Sequence, residues 1–382
     1  MGLIYYLGYY DTLENKSENR YYELAASNKM TYIISAIEKL GHTVEVISTS
    51  VTRNNRFYKG KVMPIGQRSR LRLFASWPYK PRVLRVLGRQ VTRVQQFWYV
   101  LQNVKKDDTL IVYHSLALMR RVKWLKRICK FRLILEVEEF YGDVMEKKAV
   151  SEREQRFFQI ADAYLFPAKR LNEKVNIENK PHILIYGTYQ QEKDRACSFE
   201  EPEVQGKIHC AYAGTLDPRK GGGVMAAQAA KYLPENYHIH ILGFGSDDEV
   251  KNMKSLVENL SKSCSCGISY DGCLKGEEYI RFLQSCHIGL STQNPEGSYN
   301  DTSFPSKILS YMANGLQVVT VRIPVVEESE VGEWMCYYDD PSPEAIAQAI
   351  MNTTINDNCD GRAVIAELDI KFIKEIKALL EG

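Results

Sequence analysis

Two short stretches combine residue types that suit one chemistry. FPSKILSYMANG runs from Phe304 to Gly315, with a proline, a serine and a lysine in a row, then an apolar stretch that glycine stops. Proline is tolerated in the first turn of a helix because its missing N–H would be unpaired there anyway. The free N–H groups of that turn, with the positive end of the helix dipole, attract an anion. Ser306 adds a hydroxyl and Lys307 a full charge. The same letters also read as a capped helix with a solvated lysine. CAYAGTLDPRKGGG (210–223) repeats the logic as a strand, a turn and three glycines opening a helix. Gly214 lets backbone approach a ligand, Gly221–Gly223 free the turn, and Arg219 and Lys220 bring charge to its mouth. Its plain alternative is an ordinary β–α turn. Two basic, N–H-rich mouths in one domain make a diphosphate ligand a stronger reading than either mouth does alone.

These mouths need strands and helices to hold them. GLIYYLG (2–8) reads as a buried strand. A polar loop follows, then a helix with Met30, Ile33, Ile34, Ile37 and Leu40 at helical spacing, and the strand TVEVIS (43–48). This β–loop–α–β order opens a parallel, doubly wound sheet. A basic helix is expected from about Val83 to Asn103, with Arg82, Arg85, Arg89 and Arg93 along one side. A second covers 118–131, between the strands DTLIVYHS (108–115) and RLILEVEEF (132–140). ADAYLFPA (161–168) and PHILIYGT (181–188) continue the alternation. The polar interval 189–207 reads as a linker, after which the pattern restarts at IHCAYAG (208–214) and HIHILGFG (238–245). ISYDG (268–272), HIGLST (287–292) and LQVVTV (316–321) complete it. The expected organisation is a domain over 1–190, a second over 206–355, and a helix within 356–382 packing back on them. Ligands of such folds sit at strand C-termini, here in the cleft between the halves.

With 382 residues and 45% hydrophobic content, the chain has ordinary globular composition and room for two domains. No segment approaches the roughly 20 apolar residues that span a bilayer. The N-terminus lacks a basic n-region and a small-residue cleavage site, so no signal peptide is expected. Nine scattered cysteines, with no paired CxxC, suit a reducing compartment and argue against zinc. The net charge of +3 hides an asymmetry. Up to residue 190 there are 33 basic and 18 acidic residues, and after it 17 and 29. Between Val51 and Arg132, 21 basic residues face only Asp107 and Asp108. Such a field attracts an anionic membrane, nucleic acid or a phosphorylated substrate.

AGTLDPRKG, LGFGSD, YDGCLKGEEYIRFLQSCHIGLST and NPEGSYNDTSFPSKILSYMANGLQVVTVRIPVV together resemble the donor-binding domain of GT-B glycosyltransferases. The resemblance is nearest to the retaining family-4 group, in a polysaccharide-biosynthesis branch with an FPSK signature. It covers about 206–350, and the N-terminal half only in the order of elements. It implies a GT-B architecture, two doubly wound Rossmann-like domains facing across a cleft. The implied activity is hexosyl transfer from a nucleotide-diphosphate sugar, with a UDP-sugar as first candidate. Lys220 and Lys307 would hold the diphosphate, helped by Ser306, backbone N–H groups and Arg219. Asn300, Thr302 and Ser303 would line the sugar-diphosphate pocket. Gly214, Gly243 and Gly245 would let the chain pass the nucleotide, with the backbone of Tyr270–Gly272 beside the base. The chain departs from the family pattern twice. Thr215 stands where many members have arginine, and Thr302 and Ser310 stand where many have two glutamates, the second contacting ribose.

The leaving nucleoside diphosphate needs positioning and positive charge. Lysines and helix N-termini supply both, so no metal cofactor is expected. On the acceptor side, Glu138 and Glu139 end a strand where relatives carry a histidine and an acid. They orient an acceptor hydroxyl, contact the donor sugar, or are plain strand-end charges. His114, in VYHS, is another strand-end candidate. Basic rows beside Trp77, Trp98, Trp124, Phe74 and Phe97 suit anionic headgroups. The alternative is solvated helix faces with the aromatics inside. The expected acceptor is lipid-linked or a saccharide, and the expected location is the cytoplasmic face of a membrane. A nucleic-acid-binding protein would leave both basic mouths unexplained, and no RRM-like or KH-like signature is present. A non-hydrolysing nucleotide-sugar epimerase would not need the basic surface. A catalytically dead scaffold stays compatible with the missing glutamates.

Overall fold

Near-continuous apolar strands, most of them followed by a helix, build two sheets that are parallel apart from one edge strand. The structure is a computed structural model and describes residues 2–145, 147–195, 206–219, 221–355 and 361–382. The chain divides into two units, one of Met1–Thr188 with Ile370–Gly382, the other of Tyr189–Asp369. The polar interval is therefore not wholly a linker. Its first residues are anchored to the second unit, where Arg195 N–H donates to Gln284 Oε1 at 2.9 Å and Gln284 Nε2 to the Lys193 carbonyl at 3.0 Å. The last helix, Gly361–Glu381, contributes its start to the second unit and its end to the first.

The first unit holds β1 (Leu3–Gly8), β2 (Thr43–Ser48), β3 (Lys61–Ile65), β4 (Ser69–Leu73), β5 (Thr109–Tyr113), β6 (Arg132–Glu136), β7 (Ala163–Phe166) and β8 (His182–Leu184). Their order is β3-β4-β2-β1-β5-β6-β7-β8, parallel throughout except for the edge strand β3. Parallel strands are covered on both faces, which is why LIYYLG and TLIVY show no alternation. One face packs Leu7, Val112, Leu135, Phe158 and Phe166 into a core. The other is covered by the helix Leu24–Lys39 through Met30, Ile33 and Ile37, all fully buried. Phe372 of the last helix adds a ring contact with Tyr32, centroids 5.3 Å apart. The strand order reverses between β1 and β5, the kind of switch point at whose carboxyl edge parallel sheets bind ligands.

The helix Arg82–Asn103 is turned opposite to ordinary amphipathic packing. Its buried residues are Gly88, Thr92, Gln96 and Val100, at steps of four. Gly88 makes room for Trp77, whose Cβ a side chain there would meet at 2.4 Å. The Thr92 hydroxyl donates to the Ala75 carbonyl at 2.8 Å, and Gln96 Nε2 donates to the Ser48 carbonyl at 3.2 Å. The outward face carries Val83, Leu87, Val91, Val94 and Trp98, all exposed. Steps of four, four, three and four make them one stripe. On the neighbouring helix, Met119–Cys129, Trp124 and Ile128 are exposed as well. The sequence reading placed Phe74 among the surface aromatics. It is buried, packed edge-on against Tyr99. No helix among the described residues is long and apolar enough to cross a membrane.

The second unit holds β9 (Ile208–Thr215), β10 (Tyr237–Phe244), β11 (Gly267–Gly272), β12 (Ile288–Ser291), β13 (Gln317–Val321) and β14 (Met335–Tyr338). The order is β11-β10-β9-β12-β13-β14, all parallel. At the amino-terminal part of this sheet four imidazoles stack, from His209, His238, His240 and His287. His209 Nδ1 and His240 Nε2 are 2.9 Å apart, and His240 Nδ1 lies 3.2 Å from Asp271 Oδ2. Among the described residues no such cluster is placed to hold a metal ion. Burial, then the neighbouring imidazoles of His240 and His209, push the His238 pKa down to about 3. The folded chain keeps this ring neutral while the unfolded chain charges it below about pH 6.5. Stability is thus present above pH 6.5 and is lost as pH falls toward 3. His238→Gln is expected to flatten the acid limb of melting temperature against pH. An unchanged limb would assign acid unfolding to other groups.

Candidate functional site

The second sheet opens where its strand order reverses, between β9 and β12. These two strands pair only over Ile288–Cys210 and Gly289–Ala211, whereas β9 pairs with β10 along its whole length to Thr215. Beyond Ala211 the gap is bridged by a side chain. Ala213 N–H donates to the Tyr311 hydroxyl at 2.8 Å, which in turn donates to the Leu290 carbonyl at 3.2 Å. Burial raises the Tyr311 pKa well above the usual phenol value, so the hydroxyl keeps its proton. Tyr311 comes from the helix Lys307–Ala313, which is thereby fixed to the crevice.

Lys307 is the first residue of that helix. Its ammonium lies 4.2 Å from the centroid of the Tyr212 ring, within cation–π range. It also lies directly above Gly214, where an added Cβ would be 3.1 Å from Nζ. Tyr212 is the floor of the mouth. Its hydroxyl donates to the Thr215 carbonyl at 3.0 Å, and a Cβ at Gly222 would come within 2.9 Å of its ring. Gly221 turns the chain with φ of +68° into the helix Gly222–Gln228. Thr292, just past β12, donates to the Gly222 carbonyl at 2.7 Å and ties the two sides together. The two segments singled out in the sequence therefore meet at one strand edge, with a cation above backbone that carries no side chain. Lys220 lies outside the described residues.

Other expected residues are committed within their own loops. Arg219 is exposed and forks onto Asp217, with Nη2 to Oδ2 at 2.6 Å and Nε to Oδ1 at 3.0 Å. Asn300 is buried. Its Nδ2 donates to the Asn294 carbonyl at 2.7 Å, and its Oδ1 accepts from Gln293 Nε2 at 2.8 Å, so it braces the loop before FPSK. Thr302 and Ser303 are half-buried on that loop, and Ser306 is exposed ahead of the helix. Ser310, in a glutamate's place, lies 3.5 Å from the Tyr279 hydroxyl. Thr215 Oγ1 accepts from Asp217 N–H at 3.3 Å. Gly243 abuts Gly214, whose carbonyl a Cβ there would meet at 2.5 Å. Gly243→Ala is expected to lower the melting temperature of the second unit, measured by thermal unfolding; an unchanged melting temperature would show that the Gly214 backbone can give way. Gly245 precedes the helix Asp247–Ser261, whose start is closed by a Ser246–Glu249 capping box and carries three acids. That helix start is no anion mouth. The Tyr270 hydroxyl donates to the Gly243 carbonyl at 3.0 Å, and Gly272 ends β11 with φ of +80°.

In the first unit, the carboxyl edge near β1, β5 and β6 gathers Tyr6, Lys29, Glu136 and Glu138. Lys29 Nζ bonds Glu138 Oε1 at 2.5 Å and the Ile185 carbonyl at 2.8 Å. Glu136 is fully buried and accepts from the Tyr6 hydroxyl through Oε2. Its Oε1 is buried without a partner among the described residues. One ammonium thus serves two carboxylates. Burial, then the neighbouring Glu138 charge, push the Glu136 pKa up to about 8. Glu136 and Lys29 escaped the sequence reading, because a lysine inside a helix and a strand glutamate carry no pattern. Glu139 is half-buried beside this group. His114 sits apart from it. The side chain is fully buried, with Nε2 2.7 Å from Glu154 Oε1, among Tyr141, Phe157 and Phe158. Glu154 also accepts from the backbone N–H groups of Tyr141 and Gly142. The expected strand-end role does not suit a ring enclosed in this way.

Residues 207–356 match the family described as Glycosyl transferases group 1. No curated protein matches the chain by sequence. Among solved structures, the chain is similar to Anabaena Alr3699/HepE in complex with UDP and glucose. That match has 12% identity, covers 99% of each chain and has a TM-score of 0.63. It is also similar to an α,α-trehalose-phosphate synthase (UDP-forming) from Burkholderia xenovorans in complex with glucose-6-phosphate, at 11% identity over 100% of each chain and a TM-score of 0.68. A third is an E. coli trehalose-6-phosphate protein bound with UDP-2-fluoro glucose, at 11% identity, 99% of each chain and 0.68. At these identities the likeness is one of fold. The chain has the two Rossmann-like units of these GT-B structures.

Proposed function

We propose that this chain is a glycosyltransferase that moves a sugar from a nucleotide-diphosphate sugar, first of all a UDP-sugar, to a lipid-linked or saccharide acceptor in glycan assembly. The observation that carries the reading is the Lys307 ammonium held above Gly214 at the splayed edge between β9 and β12. A diphosphate there meets a cation and backbone amides as negative charge builds on the leaving group. The match to Glycosyl transferases group 1 over this same unit, and the UDP in two of the similar structures, support it. Lys220 and Ser306 would share the diphosphate, Thr302 and Ser303 the donor sugar, and Tyr270 and Gly272 the base. Arg219 would first have to leave Asp217. Glu138, held by Lys29, is the carboxylate we assign to the acceptor hydroxyl. No metal enters this scheme. The test is UDP release from a panel of UDP-sugars, measured with and without membrane extracts as acceptor source. Acceptor-dependent release is expected, and interconversion of the donor without acceptor would favour an epimerase.

The same proposal places the enzyme on the inner face of an anionic membrane. The outward stripe of Val83, Leu87, Val91, Val94 and Trp98 adjoins Arg82, Arg85, Arg89 and Arg93, with no acid on either basic helix. Each basic residue near an anionic surface contributes about 1 kcal/mol. A double Leu87→Glu, Trp98→Glu variant is expected to lose at least tenfold in partition onto phosphatidylglycerol vesicles, read by sedimentation. Retained binding would remove this face from the membrane.

A further inference from the structure

We propose that a second pocket, inside the first unit and apart from Glu138, binds the phosphate group of a phosphorylated acceptor. The cavity is about 140 Å³ and is lined by Tyr21, Val51, Thr52, Arg53, Tyr79 and Arg89. It is near the roughly 150 Å³ of a cavity that holds a six-membered ring. Its walls come from the segments that leave the carboxyl ends of β1, β2 and β4, the edge where ligands of parallel sheets bind.

The pocket is built before any ligand arrives. Tyr21 N–H donates to the Val51 carbonyl at 2.9 Å, and Arg53 N–H donates to the Asn19 carbonyl at 2.9 Å. The Thr52 hydroxyl is spent on the Glu18 carbonyl at 2.6 Å and on Asn54 N–H at 2.9 Å. Tyr79 N–H is fixed to the Asn54 carbonyl at 2.9 Å. The Arg53 guanidinium lies over the Tyr21 ring, its carbon 4.6 Å from the centroid. Neither Arg53 nor Arg89 has a carboxylate partner among the described residues. On β4 of the same unit, Arg70 and Arg72 are both paired with Glu45. Two guanidiniums without a carboxylate partner match a phosphate monoester, which carries about −1.5 to −2 and accepts forked bonds, and Glu23, an acid bonded to the lining, is engaged by the Tyr21 hydroxyl. Arg89 stands on the helix whose outer stripe is apolar, so a phosphate in this pocket fits either a soluble sugar phosphate or the head of a lipid phosphate.

The name acceptor rests on the glycosyl-transfer reading, whereas the pocket itself does not. Equilibrium dialysis of the full chain with glucose 1-phosphate, and with glucose as uncharged control, tests it. Glucose 1-phosphate is expected to bind saturably and glucose not. With UDP present to fill the Lys307 site, Arg53→Gln and Arg89→Gln are each expected to weaken binding at least tenfold. UDP binding itself should survive both arginine changes, which also shows that these variants are folded. Phosphatidylcholine vesicles with and without polyprenyl phosphate separate the two sources. If the phosphate sits on a lipid, the arginine variants lose the polyprenyl-phosphate-dependent part alone. No saturable binding of either phosphate overturns the pocket. So does phosphate binding that Lys307→Ala abolishes and the arginine variants keep. Phosphate binding without any nucleotide binding would keep the pocket and remove the transfer reading.

Discussion

Lys307→Ala is expected to slow sugar transfer by about 10²–10³-fold and to abolish the stabilisation that UDP gives. The factor is that for removing one preorganised group that meets charge only as it develops. In the structure Nζ is delivered by the helix Lys307–Ala313, and Tyr311 of the same helix bonds both β9 and β12. The cation therefore arrives at a fixed height above Gly214. Loss of the ammonium removes the contact with Tyr212 and leaves the backbone intact, because alanine is at home in a helix. At a hundredfold excess over its dissociation constant, UDP adds about 2.7 kcal/mol to the stability of the wild type. The mutant should melt near the ligand-free wild type and shift little when UDP is added. Full retention of the UDP shift in Lys307→Ala would remove this lysine from the diphosphate site.

Lys29→Met is expected to destabilise the first unit by about 1.5–3 kcal/mol, the worth of a hydrogen bond to a charged group, because Glu138 is partly exposed and can be solvated. Lys29 is buried, and its ammonium compensates Glu138 beside the fully buried Glu136. The pH dependence of the wild type follows from the same group. Glu136 titrates near pH 8 when folded and near 4.5 in a free chain. Its folded pKa is raised, so its share of stability is complete below about pH 4.5 and is lost as pH rises through 8. Glu136→Gln keeps an acceptor for the Tyr6 hydroxyl and cannot ionise. The variant should match the wild type near pH 5 and melt higher than it at pH 9. Equal melting temperatures at pH 9 would show that the buried carboxyl is not the group that ionises.

The order of elements was legible because parallel strands and amphipathic helices leave strong periodic marks. The helix expected at about Val83–Asn103 spans Arg82–Asn103. The hairpin of β3 and β4 was not legible. KVMPI has no alternation and carries a proline, SRLRL is only five residues long, both lie in the most basic part of the chain, and β3 is an exposed edge. The direction in which the helix Arg82–Asn103 faces was also hidden. Its inner side is held by Gly88 against Trp77 and by hydrogen bonds from Thr92 and Gln96, none of which a hydrophobic period records.

The two mouths were legible as segments, but their meeting was not. Gly214 and Lys307 are brought together by Tyr212 and Tyr311, which read in sequence as ordinary core aromatics. Asn300 and Arg219 were read as ligand groups from their type and place. In the fold their polar atoms already serve the loops that carry them. His114 shows the same limit, since only the fold reveals Glu154 behind it.

The most direct test of the central claim is a crystal structure of the chain soaked with UDP. The diphosphate is expected between Gly214 and the start of the helix Gly222–Gln228, with a phosphate oxygen within hydrogen-bonding distance of Lys307 Nζ. UDP bound away from this mouth, with Lys307 still on Tyr212 and touching no phosphate, would contradict the account.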